Sequence, residues 1–185
     1  MRIVTDVAGV ADLAIRRASV EDVDSICDLH LRSWQAFYRG LIPDGVLDDF
    51  AATQDDRKAR WRLQIANPGS GVSTWVAVHG MTIMGFAWTN RSRDDDASPD
   101  TGEVSALYVD PDFVGRGVGR SLLAHAVRDL AEQGDTRATL WVLESNARAR
   151  RFYEIAGWRP DGAAKTEVRP GGRLHEVRYE REITA

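Results

Sequence analysis

The sequence predicts an α/β fold, and three stretches carry that reading. Residues 102–132 pass from an apolar, β-rich segment, Glu103–Val109, through Asp110-Pro111-Asp112 and a glycine-rich loop into an amphipathic helix. Residues 137–157 give a second strand, a turn at Asn146, a helix and a stop at Gly157. Two hairpins flank these units. Val72–His79 and Thr82–Ser92 join at Gly80-Met81, and Ala164–Arg169 and His175–Ile183 join at Pro170-Gly171-Gly172.

The remaining elements follow in order. Residues 1–12 read as a loosely held arm, and 13–185 as one domain. Leu13–Ala18 is a first short strand. Ser19-x-x-Asp22 resembles a capping box with Asp in place of Glu, and opens a helix from Val20 to Phe37. Val46–Phe50 is a short helical turn. Thr53-x-x-Asp56 caps a helix that stops at Asn67-Pro68-Gly69. Arg93–Thr101 is a polar loop. On the helix after the glycines, Val118, Leu122, Leu123, Ala126, Val127 and Leu130 face the core, with His125, Arg128 and Asp129 on the polar side. The order is thus β-α-α-β-β-β-α-β-α-β-β.

Composition narrows the class. The chain has 185 residues, 43% hydrophobic and 28% charged, with net charge −4, which gives no support for nucleic-acid binding. The lone Cys27 excludes an internal disulfide framework and reads as buried packing. Met1–Leu13 is neither a signal peptide nor a membrane span, so a cytoplasmic protein without membrane contact is expected.

Gly115, Gly117 and Gly119 alternate with Arg116, Val118 and Arg120 ahead of Ser121. Such a loop, ending at the unpaired N–H groups of a helix start, suits an anion. A nucleotide P-loop would need Gly-Lys-Ser/Thr, and Arg120 stands where the Lys belongs. The dinucleotide fingerprint fails too, with Arg120 or Leu122 in its third small position. The residues alone leave two readings, an anion site or a turn that only starts a helix.

The stretches Val114-x-x-Gly117-x-Gly119, Asn146-x-x-Ala149-x-x-Phe152-Tyr153 and Gly157-Trp158 together resemble the GNAT superfamily of acyl-CoA-dependent N-acetyltransferases. Its loop pattern is Arg/Gln-x-x-Gly-x-Gly/Ala, so Val114 departs from it and removes one polar contact. The resemblance covers 102–160, and more weakly Leu13–Pro43. It implies a single mixed, twisted sheet of about six or seven strands flanked by about four helices. It also implies acetyl-CoA as cosubstrate, no metal, and a primary amine as acceptor: a small molecule, a peptide N-terminus or a lysine. A homodimer is allowed.

By the same resemblance, the main chain at Leu107, Tyr108 and Val109 binds the pantetheine arm, and Val114–Ser121 the pyrophosphate, with Arg116 and Arg120 beside it. Asn146 serves the pantetheine or is a plain N-cap, and Arg150 or Arg151 reaches the 3′-phosphate or is solvated surface. Glu103 is the candidate base, against a strand-end carboxylate in solvent. Strand alternation places it with Ser105, Leu107 and Val109 unless a bulge intervenes. Tyr153 is the candidate acid, against a core aromatic. Trp34, Tyr38, Trp75 and Trp88 are candidates for the acceptor wall, with core packing as the other reading. The competing functions are a CoA-binding regulatory domain without turnover, and a transferase of a longer acyl group. Asp94-Asp95-Asp96, with no following cation in the loop, predicts either a solvated surface or a steering patch for a polyamine, aminoglycoside or basic peptide.

Overall fold

The computed structural model describes residues 3–4 and 13–183. Strand β1 (Ile3–Val4) pairs antiparallel with β2 (Ala14–Arg17), which continues to β3 (Ser73–His79), β4 (Thr82–Arg91) and β5 (Thr101–Val109). Beyond β5 lie β6 (Arg137–Leu143), then β8 (Gly172–Glu182), with β7 (Arg159–Arg169) at the edge. Every pairing is antiparallel except β5 with β6. The expected single mixed sheet is present, extended to eight strands by the two-residue β1. The rest of the expected arm lies outside the described residues.

Among the described residues the α-helices number five, where about four were expected: α1 (Val23–Phe37), α2 (Asp44–Ala52), α3 (Gln54–Ala66), α4 (Val118–Glu132) and α5 (Ala147–Ile155). The helical turn expected at 46–50 is a full helix. Val46, Leu47 and Phe50 fall at i, i+1 and i+4 and bury one face with Trp34, whose ring stacks on Phe50 at 3.9 Å. β7 begins at Arg159, five residues before the expected start, because Asp161-Gly162-Ala163 forms a bulge rather than a loop.

The two faces of the sheet carry separate cores. Leu122, Leu123, Ala126 and Leu130 of α4 pack with Val104, Leu140 and Tyr179 on one side. Val23, Ile26, Cys27 and Leu29 of α1 pack with Val76, Val78 and Phe86 on the other. Cys27 is fully buried, as expected. His125 and Asp129, assigned to the polar side of α4, are buried as well. Asp129 accepts from Thr89 Oγ1 and Gln133 Nε2, both at 2.9 Å, and His125 meets the Trp75 ring edge-on at 4.1 Å. A wide sheet covers more of the helix than an apolar stripe reveals. No helix among the described residues is long and apolar enough to cross a membrane.

Candidate active site

Two departures from regularity in β5 create the site. On its β4 side, Trp88 faces Ala106 and Thr89 faces Val104, so Ser105 is a bulged, unpaired residue. The bulge flips the alternation. Val104 packs with α4, yet Ala106 and Tyr108 pack with α1, so Glu103 shares its face with them and not with Leu107 and Val109. Of the two register outcomes the sequence allowed, the bulge is the one present. On its other side β5 pairs with β6 only at Thr101–Arg137, Gly102–Ala138 and Glu103–Thr139. Past that point the strands separate, and the β5 main chain from 104 to 109 has a free edge on a cavity of about 980 Å³.

The end of that edge is anchored. Ser33 Oγ donates to the Val109 carbonyl at 3.0 Å. Asp110 is buried, takes an ion pair from Arg32 and accepts the Asp112 N–H at 3.0 Å. Neither Arg32 nor Ser33 stood out in the sequence, because nothing local links α1 to a strand seventy-odd residues on. The chain then turns through Gly115 (φ 81°) and Gly117 (φ 80°) into α4. This left-handed backbone explains both glycines. Gly119 sits in a tight place: a Cβ there would lie 3.3 Å from Val109 Cγ2 and 3.7 Å from the Phe152 ring. The first amides of α4 are thereby left open, with no acidic residue in the first turn to compete for them.

Val114, Gly115, Gly117, Gly119 and Arg120 line the phosphate-sized end of the cavity beside Leu107, Tyr108 and Val109. Four expected contributors do not line it. Val118 is buried in the core, and the Ser121 N–H is already bonded to the Gly117 carbonyl at 3.0 Å. The Arg116 guanidinium lies 5.5 Å over the Phe113 ring. Arg150 is turned away, donating to Tyr179 Oη and the Glu144 carbonyl at 3.1 Å. Asn146 lines the cavity and accepts the Ala149 N–H at 3.0 Å, which leaves its side-chain amide free to donate inward.

At mid-cavity stands Tyr153. Phe152 and Tyr153 both line the cavity and pack against the α4-side core, and the Tyr153 hydroxyl has no hydrogen-bond partner among the described residues. Burial, with Tyr108 adding to it, raises its pKa above the usual tyrosine value, so it stays protonated at neutral pH. Glu103 is buried at the far end, where its Oε1 lies 2.7 Å from Ser105 Oγ. The solvent-exposed reading of Glu103 is therefore set aside.

Part of the cavity wall is aromatic. Trp34 Nε1 donates to Tyr108 Oη at 3.1 Å, Tyr38 Oη lies 3.4 Å from it, and Trp88 lines the same cavity. Trp75 is elsewhere, packed between His125 and Arg17 on the α4 face. The closing hairpin contributes Lys165, Glu167, Arg169 and Glu176, which the sequence reading missed. A β period with charged residues looks like an exposed edge until the hairpin is seen folded over the cleft. Gly171 at its tip touches the main chain of Gly45 at the start of α2. Burial raises the Glu176 pKa above the usual carboxylate value.

The acidic loop is not free of cations. Arg178 of β8 donates to Asp94 at 3.0 Å, to both oxygens of Asp96 at 2.6 Å and to Asp161 at 2.6 Å. The expectation of an unpaired acidic run is corrected: its cation lies more than eighty positions away.

A cleft of this shape belongs with the family comparisons. The acetyltransferase (GNAT) family model matches residues 24–158. An uncharacterized N-acetyltransferase of Archaeoglobus fulgidus is 30% identical over 142 residues, 76% of this chain and 89% of that protein. The mycothiol acetyltransferase of Propionibacterium freudenreichii is 44% identical over 77 residues, but the chain spans only 24% of its length. Among solved structures, yncA of Salmonella typhimurium, a putative acetyltransferase with its cofactor acetyl-CoA, superposes with TM-score 0.69 at 20% identity, over 95% of this chain and 96% of that one. The PaiA N-acetyltransferase of Thermoplasma acidophilum, in complex with coenzyme A, gives 0.68 at 20% identity over 92% and 98%. The chain belongs to the GNAT acetyltransferase family.

Proposed function

We propose that this chain transfers the acetyl group of acetyl-CoA to a primary amine by direct attack in a ternary complex. The observation that carries the reading is the free edge of β5 ending at the open amides of α4. That edge offers N–H and C=O groups to a pantetheine arm as a neighbouring strand would, and the helix start offers N–H groups to its pyrophosphate. Val114 supplies no polar side chain, so main-chain amides and Arg120 do this work. An N–H near Val109 would polarise the thioester carbonyl.

An alkyl ammonium with a pKa of about 10.4 must lose a proton before it attacks. In this reading Glu103, which lines the cavity, takes it, and the protonated Tyr153 gives a proton to the departing thiolate. The aromatic wall of Trp34, Tyr38 and Trp88 suits the body of an acceptor, whether a small amine, a peptide N-terminus or a lysine. A covalent enzyme intermediate is disfavoured, since Cys27 is fully buried in α1. The cytoplasm is the compartment where acetyl-CoA and such amines meet.

Titration calorimetry with acetyl-CoA and succinyl-CoA, followed by thiol release with a panel of amines, tests the reading. Acetyl-CoA binding with amine-dependent thiol release is expected. Binding without release for any amine would make the chain a CoA-binding regulatory domain instead, and preferred turnover of succinyl-CoA would make it a longer-chain transferase.

A further inference from the structure

The chain contains 24 basic residues, of which only Lys58 and Lys165 are lysines. Arginine is not acylated by a thioester under these conditions, so the distinction matters chemically. Lys58 lies on α3, paired with Asp24 and Asp28 on the outer side of α1. Lys165 lies on β7 in the wall of the cavity that also holds Glu103, the β5 edge and Tyr153. It is the one primary amine among the residues lining that cavity.

Its surroundings suit an amine that reacts. Lys165 Nζ lies 3.6 Å from Glu176 Oε2 and 4.0 Å from the centre of the Trp141 ring. Both contacts are loose, and the side chain is 44% exposed on a four-carbon stem. Glu176 gives it a neighbouring base whose proton affinity burial has raised. Glu176, Tyr108 and Tyr153 line the same cavity as Lys165.

We propose that Lys165 is a self-acetylation site of this chain, with the acetyl group taken from a thioester bound in its own cleft. This rests on the acetyl-transfer reading above. The ammonium passes one proton to the Glu176 carboxylate, and neutral Nζ forms a bond to the thioester carbonyl carbon. The carbon–sulfur bond breaks, Tyr153 protonates the thiolate, and the second proton that nitrogen must lose passes to the Tyr153 oxygen, restoring its hydroxyl. The products are N-acetylated Lys165 and a free thiol. The modified side chain has no charge, so Glu176 and Trp141 lose their cation, and the acceptor end of the cleft becomes more acidic.

The full chain incubated with acetyl-CoA and no acceptor, followed by intact mass and peptide mapping, tests this. The expected result is one acetyl group on Lys165, at a first-order rate independent of protein concentration and about 10²-fold slower in Tyr153→Phe. Lys165→Arg should lose the modification while still binding acetyl-CoA in calorimetry. Acetylation confined to other sites, none at all, or labelling of Lys165 at a rate unaffected by Tyr153→Phe would overturn the proposal. Should an added amine be acetylated while Lys165 stays unmodified, only this inference fails. Failure of acetyl-CoA to bind would remove the underlying function as well.

Discussion

The Arg178 guanidinium meets Asp96 with two parallel hydrogen bonds of 2.6 Å, tying the loop after β4 to strand β8. Its remaining donors go to Asp94 and Asp161, and Asp94 also accepts the Trp141 indole N–H at 3.2 Å. Arg178 is 11% exposed and Trp141 lines the cavity, so the strap fixes part of the cavity wall. Arg178→Met should strand three carboxylates without their cation. The expected outcome is a melting temperature lower by about 5 °C and a raised KM for the amine, with calorimetric affinity for acetyl-CoA unchanged. An unchanged acceptor KM would mean the strap serves stability alone.

The strap also revises a steering role for Asp94-Asp95-Asp96. Arg178 holds Asp94 and Asp96 in charged hydrogen bonds, so replacing all three by asparagine should lower thermal stability, whereas a steering role would show as a salt-dependent rise in KM. Steady-state kinetics at two ionic strengths would tell the two apart.

Asp22 closes the N-terminal capping box with Ser19 and takes a double hydrogen bond from Arg16 at 2.6 and 2.8 Å. Burial alone would raise its pKa, but the Arg16 and Ser19 hydrogen bonds outweigh that and hold it below the usual aspartate value. A folded-state pKa below the unfolded one stabilises the fold above the unfolded value of about 3.9, and the contribution disappears as pH falls through the folded value. Asp22→Asn should therefore cost about 1 kcal/mol at neutral pH. Denaturant titrations should show the two proteins converging below pH of about 4. A constant gap across that range would point to the lost packing rather than the charge.

Elements with local causes were legible in the sequence. The glycine loop, α4, α5 with its Asn146 cap and the first hairpin all follow from periodicity and turn residues, and the structure has them within a residue or two. Tyr153 and Glu103 could be singled out because a motif fixes one and a count along β5 the other. The failures share a different cause. Arg178 with Asp96, Ser33 with Val109 and Lys165 with Trp141 are contacts between distant segments, and no pattern in either segment announces its partner. Glu176 and Arg169 looked like exposed hairpin charges for the same reason, since the fold-over at Gly171 is a tertiary event.

Gly117 has φ of 80° at the N-cap of α4, where it lines the cavity. An aspartate there should cost about 1–2 kcal/mol in backbone strain and add a negative charge where the pyrophosphate is expected. Gly117→Asp should remain folded by circular dichroism and lose measurable acetyl-CoA binding in calorimetry. Retained affinity in the folded variant would move the phosphate site away from this loop.

Tyr153→Phe removes one oxygen from a ring held by Phe152, Trp158 and Tyr179, so the packing around it survives. As the proposed general acid, its loss should lower kcat by about 10²–10⁴-fold with little change in acetyl-CoA affinity. The pH dependence sharpens the test. An acid must carry its proton to act, and burial raises the Tyr153 pKa above the usual value of about 10. The wild-type kcat should therefore show no alkaline decline from this group below that pH. The chemical step should be isolated by single-turnover mixing of acetyl-CoA-loaded protein with amine, so that slow product release does not mask the loss. If single-turnover rates of the variant match the wild type, the thiolate is protonated by another group. The unpartnered Tyr153 hydroxyl would then be only a wall of the cleft.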